Sequence, residues 1–145
     1  MIRSTLATGL ALLLSAFPAS AQQDPASARQ EIKETFGVIP SFLEIYPEAA
    51  LGAGWAFMKG TNLNQDLELD PKTRELILLA VSAQIPCEYC VYYHRSAARA
   101  SGASEQELRE AVLMAAVIRH WSTILHGAQY DMDAFRSETD GFFPK

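Results

Sequence analysis

Two cysteines, one histidine and one glutamate carry the chemistry that this sequence can offer. Cys87 and Cys90 lie three residues apart, His94 follows Cys90 by four, and Glu75 precedes Cys87 by twelve. On a helix, positions four apart fall about 40° apart around the axis and one turn apart along it. Cys90 and His94 therefore share a face, where a thiol can pass its proton to an imidazole. Cys87 comes directly after Pro86, at what reads as a helix start, where unpaired N–H groups and the helix dipole favour a thiolate. Only the thiolate attacks a disulfide or a peroxide, so groups that lower a thiol pKa create reactivity. If the helix that carries Glu75 packs on the helix that carries His94 as a hairpin, the carboxylate reaches the imidazole and holds it ready to accept a proton.

Each of these residues also has a plainer reading. Glu75 can be a first-turn carboxylate that complements a helix dipole, His94 a half-buried surface histidine, and the CxxC a structural disulfide. A bridge closing so short a loop removes little entropy from the unfolded chain and stabilises weakly, which favours a chemical use. A c-type haem requires histidine immediately after the second cysteine, where this chain has Val91. A thioredoxin-type CxxC follows a strand, and none precedes Cys87. A zinc site built from Cys87, Cys90, His94 and Glu75 is chemically possible, but paired thiols in an oxidising compartment lose the metal by joining to each other. His120 and His126, six apart, face different sides of their helix and make no ligand pair. No metal or other cofactor is expected.

The elements that must position these groups read as helices throughout. Ala26 to Phe36 is an amphipathic stretch stopped by Gly37. Pro40 opens a short turn or helix through Tyr46, and Pro47 opens a second helix to about Lys59. Thr61 to Leu69 is a polar loop. Asp70-Pro71 is a helix start, with an N-cap carboxylate followed by proline at the first helical position. The run from Leu76 to Val81 is apolar on every face and predicts a central, buried helix, ended by Pro86. The next helix begins around Cys87 and stops at Gly102. Ser104 and Glu107 form a capping box for a last long helix to roughly His126. The tail from Tyr130 carries Phe135, Phe142 and Phe143. The expected class is all-α.

Composition narrows the function classes. With 145 residues, 49% of them hydrophobic, one domain is the prior. The 17 acidic and 12 basic side chains give a net charge of −5, and Arg95, Arg99, Arg109 and Arg119 form no basic stripe, which argues against nucleic acid. Arg3 followed by the apolar stretch Leu6 to Phe17, Pro18 and Ala19-Ser20-Ala21 reads as a secretory signal peptide over residues 1–21. The stretch is too short to span a bilayer, which takes about 20 apolar residues. Residues 22–145 are then expected as an exported domain, periplasmic or secreted, with no membrane span.

The pattern Glu75, eleven residues, Cys87-Glu88-Tyr89-Cys90, three residues, His94 resembles the E-x11-CxxC-x3-H signature of AhpD-like alkyl hydroperoxidases in the carboxymuconolactone decarboxylase superfamily. The surroundings agree, from Phe36-Gly37-Val38-Ile39-Pro40 through Arg74-Glu75-Leu76 to Ala98-Arg99 before Gly102. The resemblance implies an all-helical bundle with a helical hairpin carrying CxxC at its turn, homo-oligomers such as trimers or hexamers, and reduction of a peroxide or disulfide substrate by thiols. It assigns Cys90 as the activated thiol, Cys87 as its disulfide partner, His94 as the proton acceptor and Glu75 as its orienting group. Some relatives carry another histidine between the cysteines; Glu88 and Tyr89 stand there instead, so water must take its place in the relay. Cytosolic relatives take electrons from lipoyl or thioredoxin-type donors, and an exported protein needs another thiol reductant. Decarboxylating relatives generally do not rely on this CxxC. The rival reading is a non-enzymatic all-α oligomeric binding protein whose CxxC is structural.

Overall fold

A computed structural model describes residues 23–143, and the expected signal segment lies outside them. The described residues form α1 (Pro25–Phe36), a 3₁₀ turn (Ser41–Leu43), α2 (Glu48–Gly60), α3 (Pro71–Gln84), α4 (Glu88–Ala100), α5 (Glu105–Gly127) and α6 (Met132–Phe142). No strand occurs among the described residues, and the class is all-α. The chain divides into two compact units, one up to Leu63 and one from Asn64 onward.

In the first unit, Asp24 caps α1 by accepting from the Ala26 and Ser27 N–H groups, with Pro25 at the first helical position. Gly37 ends the helix at φ 77°, a left-handed conformation that only glycine adopts at little cost. Trp55 and Ile32 are fully buried in a core shared with Ala28, Leu43 and Leu51. Glu31 accepts from the Trp55 indole at 2.8 Å and from Lys59, so the one polar atom of the buried ring is satisfied.

The second unit is a three-helix packing of α3, α4 and α5, to which α6 is appended. Asp70 accepts from the Thr73 N–H at 3.1 Å and caps α3. Leu79, Ala98 and Leu108, one from each helix, are fully buried together, with Leu76, Val91 and Ala103 against them. Gly102 at φ 87° makes the turn out of α4. Ser104 and Glu107 form the expected capping box, with bonds of 3.1 and 2.7 Å. Lys72 of α3 also donates to Glu107 at 2.7 Å. These contacts pull Glu107 well below its ordinary value, to about 2, with the Lys72 hydrogen bond the largest cause.

The helix carrying Leu76 to Val81 departs from the expectation that it is buried on every face. Leu79 is fully buried, but Ile77 and Val81 stay 46% and 50% exposed. Only α4 and α5 pack on α3 within this unit, and two neighbours cover two sides of a cylinder. Trp121 is likewise exposed, whereas Trp55 is core. The tail after Tyr130 is a helix, capped by Asp131 through the Ala134 N–H at 2.7 Å. Among the described residues no helix is long and apolar enough to cross a membrane.

Candidate functional site

The chain between α3 and α4 is three residues long, and its hydrogen bonds explain where the cysteines sit. The Ile85 N–H closes α3 on Val81, and Pro86 has no N–H with which to continue it. The Cys87 N–H then donates to the Ser82 carbonyl at 3.1 Å. Cys87 is the N-cap of α4, and its sulfur accepts from the Cys90 N–H at 3.2 Å. An N-cap side chain and the residue three positions on lie close across the first turn, and the spacing of the CxxC matches that pair. The two cysteines are joined as a disulfide with their Cα atoms 5.3 Å apart. Both are half-buried, and Tyr89 between them is exposed.

One turn further along α4, His94 turns toward α3. Its Nδ1 lies 2.7 Å from Oε2 of Glu75, with the two side chains only 13% and 10% exposed. An ionised carboxylate can only accept, so in that state Nδ1 donates and Nε2 is left to exchange a proton elsewhere. Such a contact fixes both the tautomer and the orientation of the ring. The Tyr93 ring stands edge-on to His94, with centroids 5.2 Å apart. Burial, and then the charge of Glu75, hold the Tyr93 phenol above its ordinary value, so it stays neutral.

The structure thus brings Glu75 to His94 and Cys87 to Cys90. What joins the two pairs is α4, which carries Cys90 and His94 four residues apart. Among the described residues no three histidine, cysteine, aspartate or glutamate side chains converge as a metal-binding group. Three further neighbours escape the sequence reading. Tyr93 is one. The others are Gln84, which donates to the Ala115 carbonyl, and Arg119, whose Nε donates to Gln84 Oε1 at 3.0 Å. A lone cation in the apolar middle of α5 was the available signal for Arg119. A cavity of about 540 Å³ near the end of α5, lined by Leu125, His126, Tyr130 and Phe135, holds none of the four candidate residues. A smaller one of about 440 Å³ includes Pro86 in its wall.

Residues 49–131 match the model of the carboxymuconolactone decarboxylase family. The fold is similar to the crystal structure of an alkylhydroperoxidase AhpD core from Rhodospirillum rubrum. The TM-score is 0.66 at 26% identity, over 77% of this chain and 85% of that one. A protein from Paracoccus denitrificans described as uncharacterized protein 4 in the cox locus is 34% identical over 61 residues. That match spans 42% of this chain and 55% of the relative, so the chain spans about half the length of that protein. With the family pattern covering α2 to α5 and the AhpD architecture shared across most of both chains, the protein is an AhpD-like member of the carboxymuconolactone decarboxylase family.

Proposed function

We propose that the protein is an exported thiol oxidoreductase that reduces peroxides, or exchanges disulfides, through Cys87 and Cys90. The observation that carries this reading is the buried Glu75–His94 contact one helical turn from a cysteine pair at a helix start. In the reduced protein, His94 Nε2 takes the Cys90 proton, directly or through a water, and Glu75 stabilises the resulting imidazolium. The Cys90 thiolate attacks the terminal peroxide oxygen; the O–O bond breaks, an S–O bond forms, and the departing alkoxide receives a proton to leave as an alcohol. Cys90 is then a sulfenic acid. The Cys87 sulfur displaces its hydroxyl as water, and the disulfide is formed. A dithiol donor returns two electrons and two protons, becoming a disulfide itself. Fed a disulfide instead of a peroxide, the same thiolate exchanges sulfur for sulfur.

Exposed apolar side chains on α3 and α5 support assembly into a homo-oligomer, trimeric or hexameric, and residues 1–21 support export with cleavage after Ala21. The activity is tested by mixing reduced protein with one equivalent of cumene hydroperoxide. The expected products are one disulfide and one molecule of cumyl alcohol per chain. If the cysteines remain reduced, the peroxide reading is wrong.

A further inference from the structure

The cavity beside the cysteine turn has a composition that the reaction above does not explain. It is a groove open to solvent, with Ala83, Pro86, Val112, Ala115 and Ala116 in its wall and Arg119 among its lining residues, and measures about 440 Å³. Its wall is mostly apolar with one placed cation, the mix of groups that small-molecule sites use. Pro86, in the wall of the groove, is the residue before Cys87, so the groove adjoins the cysteine turn without including either cysteine.

The polar group is a guanidinium held in place by neutral acceptors. Arg119 donates from Nε to Gln84 Oε1 at 3.0 Å and from Nη2 to the Gln84 carbonyl at 3.4 Å. Gln84 is itself tied by its amide nitrogen to the Ala115 carbonyl. Three other cations of this unit are ion-paired: Lys72 with Glu107, and Arg95 and Arg99 with Glu105. The Arg119 charge is fixed beside an apolar wall without a carboxylate among these contacts. A planar guanidinium with unused donors is suited to a carboxylate.

We propose that this cavity binds an apolar molecule bearing a carboxylate, with Arg119 taking the anionic group and the alanine-lined wall taking the hydrocarbon. Resting on the peroxidase reading, this makes the preferred substrate a carboxylated organic hydroperoxide, such as one derived from a fatty acid. The balanced redox step is the one already written; the cavity adds recognition.

Binding can be read without turnover. Calorimetric titration of the oxidised protein with octanoate and with 1-octanol should show octanoate binding at least about tenfold more tightly, as a charge-assisted contact supplies. Arg119→Gln should remove that preference, and Arg119→Lys, which keeps the charge, should retain part of it. The ratio of kcat/KM for a carboxylated hydroperoxide over its methyl ester should follow the same order across the three proteins. Equal binding of acid and alcohol, or a preference that survives Arg119→Gln, overturns the subsite while leaving peroxide reduction standing. Charge-dependent octanoate binding with no reduction of either hydroperoxide overturns the substrate assignment through its chemistry, and leaves a carboxylate site.

Discussion

A histidine whose side chain is only 13% exposed against a carboxylate has little reason to be there for stability alone, since desolvating the pair offsets much of what the contact returns. Its value is in what it does to the thiol one turn away. His94→Ala should therefore slow single-turnover oxidation of Cys90 at neutral pH by about 10²–10⁴-fold, the usual worth of general-base assistance. Glu75→Gln leaves the imidazole in place but less firmly oriented, so its loss should be smaller. Both variants should regain rate as pH rises toward about 8.5, where a free thiol ionises unaided. Stopped-flow pH profiles check all three statements, and an unchanged neutral rate in His94→Ala would remove the relay. Cys87→Ser should react once, stop as a sulfenic acid visible by mass, and fail to turn over. The Glu75–His94 meeting was legible because spacing along two helices, together with the family pattern, implied it. Tyr93, Gln84 and Arg119 were not, because their partners are set by how α3, α4 and α5 pack, and no local pattern encodes that.

At the scale of the elements, the helix starts were plain because each carries its own capping chemistry: Asp70 before Pro71, Ser104 with Glu107, and Cys87 after Pro86. The exposure of α3 was less legible, since an apolar run states that a face avoids water without stating which neighbour covers it. The α3 and α5 starts are tied together by Lys72 and Glu107, and this tie has a pH signature. The Glu107 carboxyl sits at about 2 against an ordinary 4.5. A group depressed on folding stabilises the native state above its unfolded value, and that contribution is lost as pH falls through the folded value. Stability should thus decline between pH 4.5 and about 2 in part through Glu107. In Glu107→Gln that part of the slope should vanish, with stability at neutral pH lowered. Denaturant midpoints across this window measure it, and an identical acid slope in the variant would contradict the assignment.

At the scale of the whole molecule, the described residues leave many large apolar side chains exposed. Ile77 and Val81 on α3, with Ile85 just past its end, form one exposed stripe, and Leu113, Val117, Trp121 and Ile124 form another along α5. Exposed patches of this kind mark association. We expect light scattering to give a mass of three or six chains, and Val81→Lys to shift it downward; a wild-type monomer at micromolar concentration would refute the assembly. The α6 helix was the element least visible beforehand, because its polar composition describes a tail equally well. Above these details stands one claim, that Cys87 and Cys90 cycle between dithiol and disulfide in the folded protein. A redox titration of the native protein against dithiothreitol and glutathione buffers tests it directly. The account predicts reversible reduction without unfolding, at a potential above about −300 mV, the region of catalytic rather than structural disulfides. A bond that resists reduction until the protein is denatured would contradict it.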